Sequence, residues 1–100
     1  MAMELARIRT VCSYYERVLS ERLVLIDSIG DVHDERVQQR DKVVHLHNMI
    51  PRLFDLIDTE TRREKAMRWY GFIQCGLWML DIFTVDQIKA HSNPDEEPPT

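Results

Sequence analysis

Glycine, proline and cysteine are all scarce in this chain. Its 100 residues hold three glycines, four prolines and two cysteines. Three of the prolines fall in the last nine residues, so positions 1–91 carry one proline, Pro51. Few turn residues argue against a many-stranded fold, and no stretch sustains the apolar–polar alternation of a strand. Cys12 and Cys75 lie far apart and in no C-x-x-C pattern, which speaks against a zinc knuckle or a dithiol redox motif. Both sit in helical apolar patterns and are expected as buried, reduced thiols. Basic excess is absent: the formal net charge is −4. That argues against a general nucleic-acid binder, which needs a basic face to displace counterions.

A long apolar run is missing as well. The longest, Trp69 to Phe83, contains Gln74 and Asp81 and falls short of the ~20 residues of a membrane span. Glu4, Arg7 and Arg9 are followed by no long apolar run, so no signal peptide is expected and a cytoplasmic protein is. No serine–histidine–acid nucleophile motif and no glycine-rich phosphate loop occurs. No catalytic residue, metal or cofactor is expected.

What is present is helical patterning. In residues 3–29, Leu5, Ile8, Cys12, Tyr15, Leu19, Ile26 and Ile29 follow three- and four-residue steps, broken only at Arg22. A second row, Val11, Val18, Leu25 and Val32, recurs every seventh residue. Two adjoining rows suit a long helix packed against two neighbours. Gly30 and Asp31 form a stop-and-start signal. A second helix is expected over 31–50, with Val37, Val43, Val44, Leu46, Met49 and Ile50 as its weaker stripe. Its start, Asp34 to Lys42, is almost wholly polar. Pro51 is expected to end it, because proline disfavours helical geometry in the residue before it. A short helix would then cover 51–58, with Leu53, Phe54, Leu56 and Ile57 inward.

The most distinctive stretch is Thr61 to Phe83. It holds both tryptophans, one of three tyrosines, two of three phenylalanines and two of three glycines. Thr61 and Glu64 match a capping box at its start. Ala66, Trp69, Ile73, Leu77 and Leu80 form one stripe. Met67, Tyr70, Phe72, Met79 and Phe83 widen it until the helix is apolar nearly all round. Such a helix is central or lies between subunits. Gly71 and Gly76 weaken it and so point to close approach of another backbone. Thr84 and Gln87 match a second capping box, opening a last helix to about His91. Residues 92–100 (SNPDEEPPT) read as a disordered, acidic, proline-rich tail. The expected fold is one all-α domain over 1–91. It is a compact bundle of four to five helices, with the first and the 61–83 helix as the main antiparallel pair. The apolar girth of 61–83 points to a homodimer or larger homo-oligomer.

Candidate chemistry is thin. His33-Asp34 is the histidine–aspartate pair used in helical metal phosphohydrolases, but one dipeptide needs ligands from other helices. His45 and His47 are two apart and point roughly 200° apart on a helix, so they do not share one ion. Glu60 with Glu64, and Asp55 with Asp58, have helical spacing for magnesium, though capping and ion pairing explain them equally well. The run Arg62, Arg63, Lys65 and Arg68 is more informative. Four cations in the first two turns oppose the helix dipole, so local stability does not account for them. With Trp69 and Tyr70 beside them they make a candidate partner-binding patch, since Arg, Trp and Tyr are enriched at binding hot spots. The plainer reading is a solvated charged face beside core aromatics.

One segment carries a resemblance. Glu64-Lys65, Arg68-Trp69, Gly71-Phe72, Gln74, Leu77-Trp78, Thr84, Asp86-Gln87, Lys89 and His91 resemble a stretch in small proteins encoded by tailed bacteriophages. There a glycine directly follows the glutamine; here Cys75 does, and the glycine is Gly76. The resemblance covers residues 64–93 and implies a phage or prophage origin and the cytoplasm of a bacterial host. Three functional expectations follow. The first is a non-enzymatic interaction protein that binds a host or viral protein and modulates it, for example a defence or transcription component. The second is an oligomer that sequesters a nucleotide through the basic start of the 61–83 helix. The third is a small metal-dependent nucleotide hydrolase using His33, Asp34 and carboxylates.

Overall fold

The computed structural model describes residues 5–28 and 34–100, with side chains of the second segment described from Gln39 onward. Among the described residues it is all-α: α1 (Leu5–Ser28), α2 (Asp34–Asp58), α3 (Arg63–Met79) and α4 (Val85–Ser92). A single 3-10 turn, Glu60–Arg62, leads into α3. The bundle measures 45 × 27 × 18 Å. No described helix is long and apolar enough to cross a membrane.

α1 follows its sequence pattern. Ile8, Val11, Cys12, Tyr15 and Leu19 are buried, which is the three–four stripe plus the first member of the second row. The second row fades toward the far end, where Leu25 is exposed. Ile29, Gly30, Asp31 and Val32 lie outside the described residues. α1 and α2 are antiparallel, as three pairs of side chains establish. Arg9 meets Asp58, Ser20 Oγ meets His47 Nε2 at 2.9 Å, and Arg40 Nε donates to Asp27 at 2.8 Å. Going up α1 from 9 to 20 to 27, the partners step down α2 by the same intervals.

α2 departs from expectation. It runs unbroken through Pro51 and absorbs the segment expected as a separate short helix. A proline inside a helix costs about 3 kcal/mol through one lost hydrogen bond and a ring clash. Against that stands one continuous stripe, Val43, Leu46, Ile50, Leu53 and Ile57, all buried. Breaking the helix at Pro51 would remove Leu53 and Ile57 from the core, each worth about 1.5–3 kcal/mol of burial. Packing therefore outweighs the local preference.

α2, rather than the 61–83 stretch, is the hub. It packs along α1 on one side and α3 on the other, while the backbones of α1 and α3 scarcely meet. The main pair is thus α1–α2, not the first helix with the 61–83 helix. α3 buries Ala66, Tyr70, Ile73 and Leu77. Trp69 and Leu80 of the expected stripe are half-buried at its margin, and Tyr70 takes the inward place.

Both ends of α3 differ from the sequence pattern. Thr61 lies within the 3-10 turn, Arg62 takes the N-cap position, and no side chain caps it. The Thr61–Glu64 capping box is therefore not formed. At the other end the helix stops at Met79, four residues early. Ile82 N–H bonds Leu77 O at 3.0 Å and Asp81 N–H bonds Trp78 O at 3.0 Å, a Schellman closure. Asp81 takes the left-handed position with φ 59°, where glycine is usual. Aspartate tolerates that region better than most residues, so the stop has no glycine to announce it.

α4 begins at the capping box read from the sequence. Gln87 N–H donates to Thr84 Oγ1, and the Gln87 side chain accepts from Thr84 N–H. This short helix closes α1 against α3 through a polar network. Tyr15 Oη lies 2.8 Å from His91 Nδ1, and Gln74 Nε2 donates to Tyr15 Oη and to Ser92 Oγ. Tyr70 Oη meets Ser92 Oγ at 2.9 Å. Tyr15 Oη and His91 Nδ1 share one hydrogen bond, in which the phenol donates or accepts according to the imidazole tautomer. The His91 ring also stacks edge-on against Phe83, centroids 4.8 Å apart. Arg7 fastens the helix end by donating to the carbonyls of Ala90, His91 and Glu96. From Asn93 onward the chain has no helix; one turn, Glu96 N–H to Asn93 O, precedes the final residues.

Candidate docking groove between α2 and α3

The two glycines of α3 have different roles. A Cβ on Gly76 would lie 2.7 Å from a Leu46 methyl, so Gly76 is what lets α2 and α3 approach here. The contact is with a buried side chain rather than with a backbone. Gly71 has no described atom within 4 Å of where its Cβ would be.

Above the Gly76–Leu46 contact the helices splay and leave a groove of about 400 Å³. Phe72, Gly76, Met79 and Leu80 line it from α3, and Asp41, Lys42, His45 and Leu46 from α2. Helical geometry explains the set: 72, 76, 79 and 80 follow three–four steps down one flank of α3. Phe72 is 54% exposed and Met79 68%, large apolar surfaces on an open wall. His45 stands edge-on to Phe72, centroids 6.2 Å apart. A shallower hollow continues past Phe72, lined by His45, Met49, Arg68 and Trp69. The two depressions share His45 and Phe72, so they read as one channel. Its ends are charged: Asp41 and Lys42 at one, Arg68 at the other.

The residues expected to form the basic patch divide. Arg68 and Trp69 reach the channel. Arg68 is held by Glu64 at 3.2 Å, on the same face one turn earlier. Lys65 covers the Trp69 ring, its ammonium 5.6 Å from the centroid. Arg63 turns back to the Ile57 carbonyl, and Arg62 sits exposed in the 3-10 turn. Tyr70 leaves the patch altogether. It is 5% exposed, and burial pushes its phenol up to about 12. A side chain on the α1–α4 side of the helix cannot serve a surface on the outer side.

The remaining candidates also resolve. His45 faces α3 while His47 faces Ser20 of α1, so the two imidazoles part as their spacing requires. Asp58 pairs with Arg9 of α1 rather than with a nearby cation. Among the described residues no three His, Cys, Asp or Glu side chains come close enough to hold a metal ion. His33 and the Asp34 side chain lie outside the described residues. Cys12 is buried as expected, and its burial pushes the thiol up to about 12. Cys75 is exposed, contrary to expectation, because it projects opposite the Ile73–Leu77 stripe. No family model, curated protein or solved structure matches the chain.

The α2 half of the groove was not legible as a site. Asp41, Lys42 and His45 belong to a stretch that reads simply as polar helix. Phe72 and Met79 were visible as apolar residues, but only the packing of α3 decided that they face outward. The one usable signal was Gly76, a glycine inside a helix with apolar neighbours one turn to either side.

Proposed function

We propose that the protein acts without catalysis, by docking a short amphipathic helix of another protein in the channel between α2 and α3. The observation that carries this reading is the exposed pair Phe72 and Met79 on the wall of an open groove. Apolar side chains spaced by two turns along such a groove suit the i, i+3, i+4, i+7 anchors of a bound helix. Arg68 at one end favours an acidic residue on the ligand, and Trp69 beside it is a residue type that anchors interfaces. The setting we favour is a phage or prophage protein working in the bacterial cytoplasm on a host or viral protein, which the resemblance of residues 64–93 supports.

The nucleotide-sequestering alternative has less support, since Arg63, Lys65 and Arg68 are each engaged in a different direction. The test is affinity capture from host lysate with wild type beside Phe72→Glu and Met79→Glu. Both positions are exposed, so circular dichroism should report an unchanged fold. One captured protein lost with both variants, and bound by purified wild type through a helical peptide, is the expected result. An identical captured set from all three would sink the groove as the docking surface.

A further inference from the structure

α4 is held differently from the three long helices. Each of those buries at least four side chains in the core, whereas α4 buries none. Its inner side, Ile88, Ala90, His91 and Ser92, is only half-buried. Yet it closes over residues that are shut from water: Tyr15 of α1 is 0% exposed and Tyr70 of α3 5%. The bonds that hold it are few and polar. Tyr15 meets His91, and Tyr70 and Gln74 both meet Ser92. One side chain, Arg7 of α1, clasps its end and the tail through the Ala90, His91 and Glu96 carbonyls. A segment with no buried side chain and a handful of partly exposed hydrogen bonds opens more readily than the core beneath it. The backbone bonds of Asp81 and Ile82 already close α3 before residues 83–84 lead away, so the end of α3 does not depend on α4.

His91 makes this attachment sensitive to acid. Its Nδ1 shares a hydrogen bond with Tyr15 Oη, which also accepts from Gln74 Nε2. A neutral imidazole can take the phenol proton at Nδ1. A protonated one donates from both nitrogens, so Nδ1 and Gln74 then both donate to Tyr15 Oη. The phenol proton is left with no acceptor among the described residues, and an unmet donor on a buried side chain is costly. The added charge is poorly placed as well. The groups facing His91 are Arg7, Tyr14 and Tyr15 from α1, Tyr70 and Gln74 from α3 by way of Ser92, and Phe83 from the connection. Arg17 lies over Tyr14, while Lys89 of α4 and the tail acids Asp95, Glu96 and Glu97 are exposed. Burial first, and then the Arg7 guanidinium, hold the imidazole below its ordinary value.

We propose that residues 85–100 form an acid-released strap: protonation of His91 frees α4 and the tail as one unit from the cleft between α1 and α3, while α1, α2 and α3 stay packed. The open form carries an ordinary histidine, near 6.5, and the closed form a depressed one. Opening therefore takes up a proton and is favoured as pH falls. Release uncovers Tyr15, Tyr70 and Gln74 along the cleft, on a side of the bundle that the α2–α3 groove does not use. The strap stands independently of the docking reading above.

Amide hydrogen exchange of the full chain, read by mass spectrometry and corrected at each pH for the rate of the unfolded chain, tests the strap. At pH 7, peptides covering 85–92 should be less protected than those covering 43–57. Between pH 7 and pH 5 the protection of 85–92 should fall by about 3- to 25-fold, the upper limit being that of a histidine near 6.5 that titrates only in the open form. Protection of 43–57 should not follow it. His91→Gln should remove most of the fall. Arg7→Gln should lower protection of 85–92 about tenfold already at pH 7, with the circular dichroism of the long helices kept. Equal protection in the two regions, or equal falls on acidification, would mean one cooperative unit and overturn the strap. A fall of wild-type size in folded His91→Gln would overturn His91 as its trigger. If that variant does not fold, Arg7→Gln decides: unchanged protection of 85–92 at pH 7 overturns the clasp on which the strap depends.

Discussion

Leu46 and Gly76 show how much one missing methyl decides. Leu46 is 3% exposed, and its methyls occupy the space a Cβ at position 76 would need. Gly76→Ala gains about 1 kcal/mol of helix propensity but forces Leu46 or the helix to move, at about 1–3 kcal/mol. A net loss of up to about 2 kcal/mol is expected, read as a lower denaturation midpoint with an unchanged slope. Gly71→Ala has only the first effect on the folded subunit and should stabilise it. The sequence marks both glycines alike, as weak points in an apolar helix. Their difference depends on which side of α3 meets α2. Tyr70 and Trp69 make the same point: adjacent aromatics have adjacent claims on the core, and the packing takes Tyr70 because its hydroxyl finds Ser92.

At the scale of elements, the conflict at Pro51 is the instructive one. The local signal says stop, and the apolar stripe says continue. The stripe prevails because Val43 to Ile57 face α1 and α3 together, so ending the helix would expose both contacts. Pro51→Ala should restore the hydrogen bond to the His47 carbonyl and remove the ring clash. The unfolded chain gains freedom at the same time, which offsets about 0.4–1 kcal/mol. We expect a net gain of about 2 kcal/mol in urea unfolding, with the circular dichroism signal for helix unchanged. A loss of stability would mean that α2 needs the proline's bend for packing. The two capping boxes divide in the same way. Thr84–Gln87 forms because the chain arrives extended at Thr84. Thr61–Glu64 does not, because the tight turn from α2 puts Thr61 in 3-10 geometry.

For the whole molecule, α4 is the closing piece. The backbones of α1 and α3 scarcely meet, and the network around His91 joins Tyr15 of α1 to Gln74 and Tyr70 of α3 through α4. His91 is held below its ordinary value, first by burial and then by the Arg7 guanidinium. Tyr15, Tyr70 and Tyr14 face the same region; burial holds the first two as neutral phenols at physiological pH. A base whose folded value is depressed binds fewer protons in the native state than in the unfolded one. Its contribution is therefore present above about pH 6.5 and is lost as pH falls through the lower folded value. The melting temperature should fall between pH 7 and pH 5. His91→Gln, which keeps a polar partner for Tyr15 but does not titrate, should show a smaller fall. Equal falls in the two proteins would place the acid sensitivity elsewhere.

The sequence by itself determined that the chain is helical, that its first helix is long, and where the last one begins. These follow from interactions within a few residues: three–four periodicity, scarce breakers and one capping box. Tertiary structure decided the rest. It carried α2 through Pro51, stopped α3 at a left-handed Asp81, turned Tyr70 inward, and left Phe72, Met79 and Cys75 outside. The reason is physical. An apolar residue on a helix that is apolar nearly all round has no preferred side until neighbours occupy one, and α2 and α4 occupy only part of the circumference of α3. The surface that remains is a property of that packing.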